Sequence, residues 1–275
     1  RQLVEHVVAG ELAFRAALTG RHLGKLGLES EKAARADKFC RIISAKGRSR
    51  LMAIDVVTKD CTALSDAELA ELADMCTGGP AGYEIGVLSK YREDWVLVSR
   101  DTENWKLHGF AFCTLERIGG TPCLLIGLGS VKRSAKRESV LKSLMANMYR
   151  RAVMAFPDED VVVGTKLIDA GAFNAFRGLD DVCPQPDHRT TGEERAWSRR
   201  LAKRFGAENR IDDRSFIVSG DDTTPGVFDH ESLKPETVNA DVAAYFTPLN
   251  REKGEYLIAF GWAMAEDLAG AKLPK

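Results

Sequence analysis

The chain has 275 residues, 44% hydrophobic and 29% charged, and its 39 Lys+Arg against 40 Asp+Glu leave a formal net charge of −1. That profile excludes a disordered tail and a collagen-like repeat, and no apolar run reaches the roughly 18–20 residues that a membrane-spanning helix requires. The length allows one large domain or two small ones, with enough core to fold without disulfides.

The first fifty residues carry helical spacing on both sides of the glycine-rich stretch 20–27, which predicts two helices in an N-terminal extension over residues 1–50. A short apolar run, Met52 to Val57, reads as a strand. Ser65 and Glu68 have capping-box spacing ahead of Leu69, Leu72 and Cys76, so Asp66 to Met75 is a helix, closed by Gly78-Gly79-Pro80. Three strand-like runs follow, Trp95 to Ser99, Gly109 to Leu115 and Pro122 to Leu128. The turn Gly119-Gly120 makes the last two an antiparallel hairpin. Val140, Leu141, Leu144, Met145, Met148 and Val153 mark a helix over 139–156. A buried strand, Asp160 to Thr165, and a short helical segment, Ala170 to Arg177, complete a mixed α/β core over residues 51–186. In the C-terminal extension, residues 187–275, Thr191 and Glu194 cap an amphipathic helix with Trp197, Leu201 and Phe205 on one side and Arg195, Arg199, Arg200, Lys203 and Arg204 on the others. An Asp/Gly/Thr/Pro-rich stretch, 219–226, reads as a linker, and apolar patterns over 242–246 and 256–268 close the chain.

Charge is unevenly distributed. Residues 1–50 hold eleven Lys/Arg against five acids, residues 132–151 seven against Glu138 alone, and residues 207–275 thirteen acids against seven bases. Two basic zones point to anionic ligands. Cys40, Cys61, Cys76, Cys113, Cys123 and Cys183 stand singly, with no CxxC and no Cys/His cluster, so they read as reduced small hydrophobes and no metal is expected. Nothing resembles a signal peptide, and the expected location is cytoplasmic.

The order of elements, with the unbroken segment Val131-Lys132-Arg133-Ser134-Ala135-Lys136-Arg137-Glu138-Ser139-Val140-Leu141-Lys142, resembles the GCN5-related N-acetyltransferase (GNAT) superfamily. In that family a strand ends in Val, and a loop of the form Arg/Gln-x-x-Gly-x-Gly/Ala then enters a helix whose N-terminus takes the pyrophosphate of acetyl-CoA. The resemblance implies a mixed, mostly antiparallel sheet flanked by helices, with central strands that splay around the cofactor. It implies a probe for acyl-CoA contacts at Val131 and at Lys136 to Lys142, where helix amides and Lys132, Arg133, Lys136, Arg137 and Lys142 favour phosphate. Acetyl-CoA or another acyl-CoA is the implied co-substrate.

Asp169-Ala-Gly-Ala172-Phe173-Asn174-Ala-Phe176 is similar to the family's Asn-x-x-Ala-x-x-x-Tyr helix, which places Asp169 and Phe176 beside the thioester. The chain departs from the pattern in three ways. Arg137, Ser139 and Leu141 stand where glycines let backbone approach phosphate. Phe176 replaces a Tyr that protonates the departing thiolate, and Leu125 stands where some members place a general-base Glu. Glu116 and His108, at the two ends of one strand run, are the remaining base candidates. Ser130 and Cys113 are positioned to face the cleft, and Gly127 to Gly129 offer amides to a thioester carbonyl. Trp95, Phe110 and Phe112 read as core, and Trp197, Phe205, Phe260 and Trp262 as cover for a sheet edge.

Three functions compete on these residues. The first is acyl transfer from acyl-CoA to a small-molecule or protein amine. The second is a protein of the same scaffold without CoA chemistry that binds or modifies nucleic acid through the basic N-terminal region and the helix 191–205. The third is a non-catalytic interaction protein whose acidic C-terminal region masks the basic zones, within the chain or in a homodimer.

Overall fold

The computed structural model describes residues 54–79, 81–91, 93–101, 104–234, 236 and 238–270; the two helices expected in the first fifty residues, that basic zone and Cys40 lie outside them. The expected first strand is β1 (Ile54–Asp60), and α1 (Asp66–Cys76) follows with both halves of its capping box formed. Ser65 Oγ accepts from the Glu68 amide at 3.3 Å while Glu68 accepts from the Ser65 amide at 2.9 Å. A short α2 (Ile85–Lys90) precedes β2 (Trp95–Asp101), β3 (Leu107–Ile118) and β4 (Thr121–Val131). Gly119 and Gly120 make the β3–β4 turn with φ of 62° and 91°, a conformation that glycine adopts without steric cost.

The chain then crosses over through α3 (Arg137–Ala155) into β5 (Val161–Leu167). The expected helical segment after β5 is a 3-10 turn, Ala170–Phe176, capped by Asp169, whose carboxylate accepts from the Gly171 amide at 2.7 Å. Next come β6 (Asp180–Cys183), the basic helix α4 (Gly192–Arg204) with its Thr191–Glu194 capping box, and the two-residue strands β7 (Ile211–Asp212), β8 (Ile217–Val218) and β9 (Phe228–Asp229). The last elements are α5 (Ala240–Ala244), β10 (Tyr256–Ala263) and α6 (Ala265–Ala269).

These strands form one sheet in the order β1-β2-β3-β4-β5-β10-β8-β7, with β6 paired to β10 and β9 to β4. Pairing is antiparallel except at β4–β5 and β4–β9, so the sheet is mostly antiparallel and flanked by helices. The β4–β5 pair is parallel because α3 returns the chain to the same end. C-terminal residues supply β10 directly beside β5.

The faces are separated by pattern. Along α3, Val140, Leu144 and Met148 recur every four residues and are buried; a Cβ at Gly109 on β3 would lie 2.8 Å from the Val140 side chain, and Cys113 Sγ lies 3.7 Å from Met148 Sδ. On α4, Leu201 fills the space left by Gly164 of β5, while Trp197 packs edge-to-face on Trp262 of β10 at 5.8 Å. Leu201 is fully buried. Leu201→Ala is expected to cost about 2–5 kcal/mol by urea unfolding, with one transition for helix and sheet together.

Candidate cofactor cleft

The cleft begins with one extra residue. On β4 Leu128 faces Phe112 but Ile126 faces Cys113, which leaves Gly127 as a β-bulge. The parallel pairing of β4 with β5 runs only from Cys123↔Val162 to Ile126↔Thr165 and stops at that bulge. Beyond it the two strands part, and β4 presents unpaired backbone groups to a slot one strand wide.

That slot is filled by the chain itself. β9 lies along β4 in parallel, with Gly129 opposite Phe228 and Ser130 opposite Asp229. The Gly129 amide donates to the Val227 carbonyl at 3.1 Å. The buried Tyr83 hydroxyl donates to the same carbonyl at 2.8 Å and accepts from the Val227 amide at 2.9 Å. Phe228 covers Gly129 so closely that a Cβ there would sit 2.6 Å from its ring, so only glycine fits. Asp229 is buried; its Oδ2 accepts from the Ala81 amide at 3.4 Å and its Oδ1 has no partner among the described residues. Burial raises its carboxyl from the ordinary 3.8 to about 6. His230 is fully buried, 3.6 Å from Glu138, and burial holds its imidazole below the usual range.

At the open end of β4 the chain turns through the basic loop into α3. Arg137, in the first turn, is 2% exposed, and none of its three guanidinium nitrogens has a hydrogen-bond partner among the described residues. It lines a cavity of about 130 Å³ together with Ser130, Lys132, Arg133, Asp229 and Glu231. Burial lowers the Arg137 pKa, and the nearby carboxylates of Glu231, Glu138 and Asp229 oppose that shift. Arg133 pairs with Glu231 at 2.8 Å. Asp101, at the end of β2, braces the loop, bonding His108 Nε2 at 2.7 Å and Lys136 Nζ at 2.9 Å, and both bonds hold its carboxyl below the usual range.

The opposite side of the bulge carries a second charged group. The Glu93 side chain occupies the space where a Cβ at Gly127 would stand. Arg204 of α4 joins Glu93 at 3.0 Å and Glu116 at 2.5 Å. Beside them Lys166 is 3% exposed, its ammonium 4.9 Å from the rings of Tyr91 and Phe205 and 6.0 Å from Tyr256. Burial lowers its pKa to about 8.

Strand order, the crossover through α3 and the splay at Gly127 decide the architecture. The chain has a mixed α/β fold built on one mostly antiparallel sheet. Solved structures similar to it include an acyl-CoA N-acyltransferase from Pseudomonas aeruginosa, 17% identical over 41% of this chain and 79% of that one, with a TM-score of 0.30. Others are the aminoglycoside 6'-N-acetyltransferase from Enterococcus faecium, 12% identical over 42% and 64% with a TM-score of 0.32, and Escherichia coli ElaA, 17% identical over 51% and 95% with a TM-score of 0.32. No family model and no curated protein matches the chain. The TM-scores lie below 0.5, and the fold rests on the strand order above.

Within this fold, the residues singled out from sequence fall into several places. Val131, Lys136, Arg137 and His108 gather at the basic loop, and Glu138, Ser139 and Lys142 lie exposed on the first turns of α3. Val140, Leu141 and Phe176 are core residues, and Asp169 caps the 3-10 turn and pairs with Arg251 at 3.2 Å. Glu116 belongs to the Arg204 group, away from His108. Cys113 is buried against α3, which pushes its thiol well up, and Ser130 Oγ lies 3.5 Å from Asp229. The Gly129 amide, expected to polarise a thioester, is bonded to Val227 in this structure. Sequence reasoning missed Glu93, Lys166, Tyr83 and the 226–231 tract. The one signal for Lys166 was a charge closing the apolar run of β5.

Asp229 yields a pH prediction. Because its carboxyl holds its proton to higher pH in the native state than in the unfolded chain, stability is lost as pH rises from 3.8 to about 6. Asp229→Asn is therefore expected to stabilise the protein by about 2–3 kcal/mol at pH 7.5, and the gain should vanish near pH 3.5, as read by urea unfolding at both values.

Proposed function

We propose that this protein is an acyl-CoA-dependent N-acyltransferase in which an amine attacks the thioester directly. The observation that carries the reading is Arg137, a buried guanidinium in the first turn of a 19-residue helix, lining a polar cavity, none of whose three nitrogens has a hydrogen-bond partner among the described residues. A buried cation without a partner is costly, and a phosphate relieves that cost while meeting the positive end of the helix dipole. Lys132 and Arg133 line the same cavity. The slot beyond Gly127 has the width of one extended chain and the backbone groups to bind an amide-bearing arm.

The bound thioester supplies an activated acyl group and a thiolate leaving group. The protein's own part is positioning and proton removal. Glu93 lies against Gly127, where the strands part, and is the base in this reading; Arg204 orients it and shares its charge with Glu116. As nitrogen bonds to the carbonyl carbon the C–S bond breaks, the ammonium proton passes to Glu93, and the thiolate takes its proton from solvent, since Phe176 has none to give.

The nucleic-acid reading fares less well on α4. Arg199 is paired with Asp213, Lys203 lies 3.8 Å from Glu208, and Arg204 is held by Glu93 and Glu116. Three of the five cations of that helix therefore face carboxylates of the same chain.

Isothermal calorimetry with acetyl-CoA and a long-chain acyl-CoA, up to millimolar concentration, tests the proposal. Binding is expected, and Arg137→Met should weaken it at least tenfold; equal affinity of wild type and Arg137→Met contradicts it. Glu93→Gln is expected to lower kcat about 100-fold in an acylation assay while leaving the acyl-CoA dissociation constant within twofold.

A further inference from the structure

We propose that residues 226–231 are an internal pseudo-ligand, a detachable tract that occupies the acyl-CoA slot and keeps the protein closed until it leaves. This rests on the acyl-CoA reading above and adds regulation to the same site. The tract matches the arm of such a ligand in form and in order of groups. Its middle is an extended backbone that pairs along β4 at Gly129 and Ser130. Its far end carries two carboxylates, Asp229 and Glu231, which line the cavity with Arg133 and Arg137, and Glu231 is ion-paired with Arg133 at 2.8 Å. Amide groups on the strand and anionic groups at the helix are what a phosphorylated, amide-bearing arm presents.

The anchors are individually identifiable and come from several segments of the chain. They are the Tyr83 hydroxyl and the Gly129 amide on Val227, the Ala81 amide on Asp229, the Arg133–Glu231 ion pair, the buried Phe228 ring over Gly129, and Gly226 against the Tyr91 ring, where a Cβ would come within 2.5 Å. On both sides the chain is solvent-exposed, over Asp221–Thr224 before the tract and at Leu233 and Lys234 after it. Only two residues are in register with β4, so release breaks a short pairing rather than a sheet strand of ordinary length.

The fit is also incomplete, which gives a ligand something to gain. With the tract in place, the Arg137 guanidinium and Asp229 Oδ1 remain unpartnered among the described residues. A diphosphate would satisfy Arg137, and the outgoing Asp229 would regain water. A ligand shifts such an equilibrium only through its differential affinity for the two states, and the unpaired arginine supplies that difference. Apparent affinity in the wild type is then the intrinsic affinity reduced by the fraction of molecules with the tract out.

The test uses the full chain with Tyr83→Phe combined with Glu231→Gln, which removes the hydroxyl anchor and the Arg133 ion pair with little change of shape. Acetyl-CoA affinity is measured by calorimetry, and amide hydrogen exchange is followed over 226–231 with and without acetyl-CoA. The variant is expected to bind at least tenfold more tightly than wild type, and acetyl-CoA should increase exchange of the tract in the wild type. Equal affinities, or binding that leaves exchange of the tract unchanged, overturn the pseudo-ligand and leave the acyl-CoA reading standing. Failure of both proteins to bind acetyl-CoA, with the tract exchanging freely in the variant, overturns the acyl-CoA reading and this regulation with it. Should the double variant not fold, Glu231→Gln alone carries the same comparison, because that side chain is partly exposed.

Discussion

A buried strand must find partners for its backbone groups, and the bulge at Gly127 makes that demand acute. The extra residue bends β4 away from β5 after the Ile126↔Thr165 pair, leaving the end of β4 inside the molecule with one side unpaired. Much of the surrounding structure answers to this. Glu93 enters where Gly127 has no side chain, Phe228 where Gly129 has none, and the Val227 carbonyl takes the Gly129 amide. Two glycines on one strand are thus needed for different reasons, one to admit a charged side chain and one to admit a ring.

Charge placement follows the same geometry. The side of the sheet that carries α4 keeps an ion-pair group, Glu93–Arg204–Glu116, next to a lysine enclosed by aromatic rings. The end of β4 keeps arginines against the carboxylates of the 226–231 tract. In the first group Arg204 holds both carboxylates; in the second, the Arg137 guanidinium, one oxygen each of Asp229 and Glu231, and the His230 ring nitrogens lack hydrogen-bond partners among the described residues. Satisfied buried networks specify structure, whereas unsatisfied ones mark places where a ligand can improve on the protein's own contacts.

What could be read from sequence was what lies close along the chain. The capping boxes at Ser65 and Thr191, the Gly119-Gly120 hairpin, and the i, i+4 stripe of α3 are local patterns with local causes, and each element stands within a few residues of its expected place. The crossover from β4 to β5 followed from their order. By contrast β9 is two residues within a stretch rich in turn formers, and its pairing partner lies about a hundred residues earlier, so no local pattern distinguishes it from a linker. Glu93 and Arg204 meet only because α4 folds back over the sheet, and Arg137 reads as one more charge in a basic run until its burial is known. The helical segment expected after β5 is a 3-10 turn, and the close approach of its Gly171 to the His230 carbonyl and the Ser232 amide is another long-range contact.

The tryptophan pair at the other edge of the molecule has an optical consequence. Trp197 of α4 and Trp262 of β10 meet edge-to-face, with the Arg200 guanidinium 4.9 Å from the Trp197 ring, and Trp95 is likewise stacked under Arg151. Trp105 alone among the four tryptophans is more than half exposed, at 54%. Emission at short wavelength therefore comes from indoles that sense the docking of α4 and α3 on the sheet, and emission at long wavelength from a loop beside β2. The molecule carries an intrinsic two-colour gauge of its own assembly.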